Sequence, residues 1–76
     1  MKNILKMLRA KHNMSQEKLA ELIGISRPAL SEIENGKVIP GGKTVIRIAN
    51  IFGLPAEQIF FEETVMQVEQ NSQETA

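Results

Sequence analysis

The sequence predicts a small all-α domain built from five short helices. Apolar residues recur at helical spacing in successive short segments. Ser15 and Ser26 stand immediately before two of these segments, where a serine favours the start of a helix. Gly24 and Gly53 stand where helices are predicted to end. With 76 residues, the chain has room for one domain and one small core.

The first two helices are predicted from their apolar stripes and their boundaries. The first covers residues 2–12, and its stripe comprises Ile4, Leu5 and Leu8 with Met7 beside them. The second begins after Ser15, with Glu17 in its first turn, where a carboxylate suits the helix dipole. It ends at Gly24, which can adopt the left-handed conformation. Its buried side is predicted to consist of Leu19, Ala20, Leu22 and Ile23.

Three further helices complete the predicted bundle. The third begins after Ser26 and ends at Asn35, with Pro28 in its first turn, where the missing N–H would be unpaired anyway. Residues 37–42 are predicted to form a loop, and a fourth helix covers residues 43–52. Its residues available for burial are Val45, Ile46, Ala49 and Phe52. Pro55 opens a short fifth helix that runs to residues 59–60.

The character of the sequence changes after Phe61. Residues 64–68 are partly alternating and contain β-branched side chains, so they predict a short strand or arm. Residues 69–76 contain no large apolar side chain that could hold the chain on a core, and they are therefore predicted to be disordered. We divide the chain into a domain at 1–61 and an acidic arm with a flexible tail at 62–76.

The composition excludes several classes of function. Cys, Asp, Tyr and Trp are absent, and His12 is the single histidine. With so few catalytic side chains and little room for a cleft, we predict a protein that is not an enzyme and has no metal or cofactor. No apolar run approaches the length of a membrane span or resembles a signal peptide, so we expect a cytoplasmic protein with no membrane partner.

The charges are strongly segregated along the chain, although the net charge is zero. All nine Lys and Arg fall in residues 1–47 with only four acids, which gives that segment a balance of +5. Residues 48–76 carry five Glu and no base, a balance of −5. This distribution favours a basic face that meets phosphate and an acidic end that stays away from it.

The segment from Gln16 to Asn35 has the features of a helix-turn-helix. A small residue, Ala20, stands where the two helices touch, Gly24 permits the turn, and apolar residues anchor the second helix on the first. Residues 4–61 resemble the phage repressor/Cro-like (XRE-type) helix-turn-helix family, particularly its short single-domain bacterial members. The likeness rests on Ser-Gln-Glu-Lys-Leu-Ala-Glu-Leu-Ile-Gly-Ile-Ser-Arg at 15–27, Ile-Glu-Asn-Gly-Lys at 33–37, Pro40, and Ile-Ala-Asn-Ile-Phe-Gly-Leu-Pro at 48–55.

The resemblance implies a lambda-repressor-like five-helix bundle that binds operator DNA as a dimer and regulates transcription. It implies phosphate contacts from the start of the second helix and from the loop after the third, and base contacts from the outward face of the third. The residues expected to contact double-stranded DNA are Ser15, Gln16, Ser26, Arg27, Pro28, Ser31, Glu32, Asn35, Lys37 and Lys43.

Several of these roles have two interpretations. The fork of Arg27 matches guanine O6 and N7, but a phosphate contact is nearly as well supported. Glu32 either accepts from cytosine N4 or orients Arg27, and Ser31 contacts either base or phosphate. Arg9 and Glu34 match a pair that forms a structural ion pair in this family.

The sequence departs from the family pattern at two places. Pro28 stands where a polar residue is common, and it can offer only apolar contact, for example to a thymine methyl group. Gly41-Gly42 replaces the usual serine and leucine before the fourth helix, which should loosen the loop there.

We therefore predict a sequence-specific transcriptional regulator that acts as a repressor and binds a pseudo-palindromic operator as a homodimer. The predicted dimer contact involves Phe60, Phe61 and Val65, because adjacent phenylalanines cannot both face inward in one regular element. The alternative is a protein-interaction module, such as an antitoxin whose acidic tail binds a protein partner. The two functions are compatible.

Overall fold

In a computed structural model, which describes residues 1–62, five helices pack around one core and a two-stranded sheet joins the two ends of the domain. The elements are β1 (Lys2–Asn3), α1 (Leu5–Lys11), α2 (Gln16–Ile23), α3 (Arg27–Glu34), α4 (Gly42–Phe52), α5 (Ala56–Ile59) and β2 (Phe60–Phe61). The all-α fold class is confirmed. The strand or arm predicted at 64–68 and the tail predicted from 69 lie outside the described residues.

The N-terminus differs from the prediction, because residues 2–3 form a strand rather than the start of a helix. In β1, Lys2 lies opposite Phe61 and Asn3 opposite Phe60 in an antiparallel pair. The Asn3 side chain accepts a hydrogen bond from the backbone N–H of Leu5 at 3.0 Å and so covers an exposed donor at the start of α1. A helix that continued through Asn3 would lose both the pairing of β1 with β2 and the hydrogen bond from Leu5 to the Asn3 side chain.

The core consists of one face of each helix together with the first residue of β2. Its buried hydrophobic members are Leu5, Leu8, Leu19, Ala20, Ile23, Leu30, Ile33, Ile48, Ile59 and Phe60. Phe60 therefore faces inward and Phe61 faces outward, as the alternation of a strand requires. The fifth helix ends one residue earlier than the latest predicted boundary, and Phe60 begins the strand instead.

The prediction that Leu22 and Ile46 are buried is wrong. Leu22 on α2 is exposed, and Ile46 on α4 is exposed over 61% of its surface. On α4 the fully buried residue is Ile48, with Val45, Ala49 and Phe52 packed partly against the core. The helix begins at Gly42, and its cap residue, Gly41, makes no side-chain hydrogen bond to it.

Candidate nucleic-acid interface

The crossing of α2 and α3 is fixed by local chemistry at each helix end. The Ser15 hydroxyl accepts from the backbone N–H of Lys18 at 2.9 Å, and the Ser26 hydroxyl accepts from the backbone N–H of Ala29 at 3.2 Å. These two bonds are N-caps. Between the helices, Gly24 adopts a φ of +90°, a backbone conformation that L side chains rarely adopt. The two caps and the left-handed glycine therefore define the short turn between α2 and α3.

A cation from α4 stabilises the same turn. The Arg47 guanidinium donates to the carbonyl oxygen of Ile23, at the end of α2, over 2.9 Å. A positive charge at a helix C-terminus also interacts favourably with the helix dipole. A Cβ at Gly24 would lie 3.0 Å from Nη1 of Arg47, so the glycine also makes room for this contact.

The outward face of α3 is free of core contacts. Leu30 and Ile33 are buried and hold the helix against the domain. Four of the residues expected to contact DNA lie on the other side of this helix: Arg27, Pro28 and Glu32 are exposed and Ser31 is half-buried. The structure thus brings these four side chains together on one surface, which we call the outer face of α3.

A chain of hydrogen bonds connects Arg27 with the interior of the domain. Arg27 Nη1 donates to Gln16 Oε1 at 3.1 Å, and Gln16 Nε2 donates to Glu34 Oε1 at 3.0 Å. Glu34 also accepts from Arg9, at 2.6 Å to Nε and 3.0 Å to Nη2. Arg9 Nη1 donates further to the carbonyl oxygen of Met14 at 3.3 Å. The predicted pair of Arg9 and Glu34 is therefore a bidentate ion pair at the inner end of this chain.

These hydrogen bonds determine how the Gln16 amide is oriented. A guanidinium has only donors and a carboxylate only acceptors, so the amide oxygen must face Arg27 and the amide nitrogen must face Glu34. The amide nitrogen carries two N–H groups and uses one for Glu34. The second N–H is available to an acceptor at the N-terminus of α2.

Glu32 does not orient Arg27 through an ion pair. Within residues 1–62 the carboxylates in ion pairs are those of Glu34 and Glu21, and the hydrogen bond that holds Arg27 comes from Gln16. Of the two roles that the sequence leaves open for Glu32, orientation of Arg27 is not supported by this geometry.

The remaining predicted contacts lie beyond the C-terminal end of α3. Asn35, Lys37 and Lys43 are all exposed. Among the residues that the structure describes, only Arg9 and Lys18 of the nine Lys and Arg form ion pairs. Seven cations on the first 47 residues are therefore free of carboxylate partners in this part of the chain, which favours an attraction to polyanions.

The two described residues that were predicted to form a dimer contact differ in their exposure. Phe60 is 8% exposed and belongs to the core, so its prediction as a contact with a partner does not fit its position. Phe61 is 39% exposed and remains available. Val65 lies outside the described residues.

His12 and the acidic residues provide no sign of a metal centre. The His12 ring packs on the ring of Phe52 at the end of α4, with a centroid separation of 5.4 Å. In residues 1–62 no three His or Glu side chains come together in a way that could hold a metal ion.

None of the helices in the described part of the chain has the length and apolar character needed to cross a membrane.

Sequence reasoning missed three polar contacts that shape this surface, made by Asn3, Lys6 and Arg47. Asn3 donates to the carbonyl oxygen of Ile33 at 2.9 Å, and Lys6 donates to the Asn35 side chain at 3.0 Å. Each contact joins residues far apart in the sequence. The basic character of Lys6 and Arg47 was visible, but no local pattern identified their partners.

Comparisons with known proteins agree with this geometry. A family model described as Helix-turn-helix matches residues 5–59. The chain is 48% identical over 63 residues to an uncharacterized HTH-type transcriptional regulator of Methanocaldococcus jannaschii, covering 83% of this chain and 96% of the relative. It is 38% identical over 63 residues to an uncharacterized HTH-type transcriptional regulator, YgzD, of Bacillus subtilis, covering 83% and 96% respectively.

A crystal structure of a transcriptional regulator from Listeria innocua has a similar fold, with a TM-score of 0.68. The match covers 84% of this chain and 61% of that chain, so this chain spans less than two thirds of the Listeria protein. The sequence identity is 22%, and the likeness therefore concerns the fold alone.

Proposed function

Because the chain belongs to the helix-turn-helix family whose model matches residues 5–59, we propose that it is a DNA-binding transcriptional regulator and not an enzyme. The observation that carries this proposal is the outer face of α3, where three of the four side chains are polar and three are exposed, while Leu30 and Ile33 anchor the helix from behind. A helix presented in this way can enter the major groove with its N-terminal residues against the base edges. Its site of action is the cytoplasm.

The N-terminal half of α3 carries the proposed base contacts. The guanidinium of Arg27 has the donors for guanine O6 and N7, and its bond to Gln16 limits the directions in which it points. Pro28 offers an apolar surface to a thymine methyl group. Ser31 contacts base or phosphate, and Glu32 accepts from cytosine N4.

Phosphate contacts are proposed on both sides of this helix. At the start of α2, the second N–H of the Gln16 amide and the free backbone N–H groups beside Ser15 suit an anion. Ser26 occupies the equivalent position at the start of α3. On the other side, Asn35, Lys37 and Lys43 supply an amide and two ammonium groups from exposed positions.

We further propose that two copies bind one pseudo-palindromic operator and repress transcription by occupying it. One α3 helix of eight residues contacts too few base pairs for strong binding, whereas two copies related by a twofold axis contact two half-sites about 34 Å apart. Phe61, exposed at the end of β2, is the described residue that we assign to the contact between copies.

The test is a selection experiment followed by a titration. The full chain is used to select duplexes from a randomised double-stranded library, and affinity is then measured for the selected duplex and for a scrambled duplex. Arg27→Ala is compared with Lys11→Ala, a matched control that removes one exposed cation from α1. We expect Arg27→Ala to reduce the preference for the selected duplex by roughly 5- to 150-fold for each copy bound, because a bidentate base contact contributes ~1–3 kcal/mol of discrimination.

Two results would contradict the proposal. If the wild-type chain binds the selected and scrambled duplexes equally, it does not recognise sequence. If both variants weaken binding to both duplexes by the same factor, Arg27 acts only as a positive charge, and the base contact fails while DNA binding stands. Repression is tested by placing the selected duplex between a promoter and a reporter gene.

A further inference from the structure

Lys6 brings a positive charge from outside the helix-turn-helix to the C-terminal end of α3. It lies in the first turn of α1, its side chain is exposed, and its Nζ donates to Asn35 Oδ1 at 3.0 Å. Asn35 is the residue that ends α3. The ammonium group is thereby held beside an amide that we assign to DNA contact, although 29 positions separate the two residues in the chain.

The ammonium group keeps unused capacity for an anion. It has three N–H donors, and the bond to Asn35 uses one of them. Within residues 1–62, no carboxylate lies within ion-pair distance of Lys6, since the ion pairs there are those of Arg9 and Lys18. The positive charge at this position therefore has no counter-charge from the described part of the chain.

The bond from Lys6 also orients the Asn35 amide. An ammonium group can only donate, so the amide oxygen must face Lys6 and the amide nitrogen must point away from it. That nitrogen lies 3.5 Å from the Ser31 hydroxyl, at the outer limit of a hydrogen bond, so it is only weakly engaged. The ammonium and the amide nitrogen are thus donors on two hydrogen-bonded side chains, and both keep capacity for anionic oxygens.

We infer that Lys6 and Asn35 together form a phosphate-binding pair, which adds Lys6 to the DNA interface. This inference rests on the proposed function. An eight-residue helix is about 12 Å long, similar to the width of the major groove. The Gln16 amide lies between the side chains of Arg27 and Glu34, whereas the Lys6–Asn35 pair lies at the C-terminal end of the helix. A phosphate contact from this pair would fix the C-terminal end of α3 against the DNA backbone while the outer face of α3 meets the bases.

The pair contributes to affinity but not to choice of sequence, because a phosphate is the same at every position. Neutralising Lys6 should therefore weaken binding to all duplexes equally and reduce its dependence on salt. The slope of log K against log salt is negative, and each lost phosphate contact makes it less steep by about 0.9 for every copy bound.

The experiment compares Lys6→Gln with Lys11→Gln in the full chain. Both substitutions remove one exposed charge from α1 and keep a polar side chain, but the Lys11 side chain forms no hydrogen bond or ion pair within residues 1–62. Affinity for the duplex selected by the wild-type chain is measured at five salt concentrations, together with affinity for the scrambled duplex. Thermal unfolding of each variant checks that the fold is retained.

We expect the salt dependence to become less steep by about 0.9 per copy for Lys6→Gln and by much less for Lys11→Gln. Lys6→Arg should restore most of the slope, because it returns the charge and a donor to Asn35. The ratio of affinities for the selected and scrambled duplexes should stay the same in all three variants.

Equal slopes for the two glutamine variants would overturn the inference, because Lys6 would then act only through the general charge of the domain. A slope lost in Lys6→Gln and not restored by Lys6→Arg would overturn it as well. If the wild-type chain fails to prefer the selected duplex, the proposed function itself fails, which is a different outcome from equal slopes in a chain that binds well.

Discussion

Removing one partner of the buried ion pair should destabilise the domain far more than removing a surface pair. The Glu34 side chain has no exposed surface, and that of Arg9 is 18% exposed. Arg9→Met would leave the carboxylate in the interior with one remaining donor among residues 1–62, the Gln16 amide. Breaking a buried pair in this way costs about 3–5 kcal/mol. We expect Arg9→Met to lower the free energy of unfolding by about 3 kcal/mol, the lower end of this range, because the bond from Gln16 to Glu34 remains.

The chain supplies its own control for this prediction. Lys18 and Glu21 form a second ion pair on α2, with a separation of 3.9 Å and side chains that are 58% and 76% exposed. Exposed pairs contribute about 0–1 kcal/mol, so Lys18→Met should change the free energy of unfolding by less than about 0.5 kcal/mol. Both free energies are measured by urea denaturation followed by circular dichroism, with the slope of the transition checked for constancy.

A double variant separates the charge from the packing. Arg9→Met combined with Glu34→Met replaces the whole pair with apolar side chains, which leaves no charge stranded in the interior. It should therefore be more stable than Arg9→Met alone. If Arg9→Met costs less than about 1 kcal/mol, or if the two substitutions destabilise additively, the carboxylate is not confined as the structure indicates, and the argument is refuted.

Three further predictions concern the turn, the N-terminus and the contact between copies. Gly24→Ala should lower the free energy of unfolding by about 1–2 kcal/mol, because φ is +90° and the new Cβ meets Arg47, whereas Gly53→Ala meets no atom within 4 Å and should cost less; urea denaturation of both compares them. Asn3→Ala removes two hydrogen bonds to backbone and should cost about 1–3 kcal/mol in the same assay; an effect below about 0.5 kcal/mol contradicts the stabilising role of the Asn3 side chain. Phe61→Ser should shift the chain from dimer to monomer in sedimentation equilibrium, with a change in unfolding free energy near 1 kcal/mol or less; an unchanged mass refutes the contact.

The helix-turn-helix could be predicted from the sequence because its boundaries depend on local chemistry. Ser15 and Ser26 each cap a helix through a backbone N–H three residues away. Gly24 ends α2 through its own φ. Every partner in these interactions lies within a few residues in the sequence, so single residues at the right spacing carried enough information.

The sheet could not be predicted in the same way. Lys2 pairs with Phe61 from the opposite end of the domain, and both strands are only two residues long. Strands this short have no periodicity, and the basic residue and the apolar residues beside it fit the first turn of a helix equally well. The choice between helix and strand is made by the partner strand, which local sequence does not reveal.

The face of α4 was misjudged for a related reason. Residues 45, 46, 48, 49 and 52 are all apolar, so two overlapping stripes satisfy the helical period. The structure selects the stripe centred on Ile48, with Val45, Ala49 and Phe52 beside it, and leaves Ile46 in solvent. Which stripe is buried depends on how α4 rotates against α2 and α5, a property of the assembled bundle.

In the candidate site, some features depend on local sequence and others depend on distant partners. The residues on the outer face of α3 could be identified by eliminating Leu30 and Ile33, which the helical period assigns to the core. The orientation of Arg27 could not be predicted, because it depends on hydrogen bonds through Gln16 to a carboxylate at the C-terminal end of the same helix. An arginine that was free to rotate would lose conformational entropy on meeting a base. In the proposed complex with DNA, the buried Glu34 would hold Arg27 in advance through Gln16 and so contribute to recognition at a distance from any base. The ion pair that joins α1 to α3 would then also prepare the surface that we propose for DNA contact.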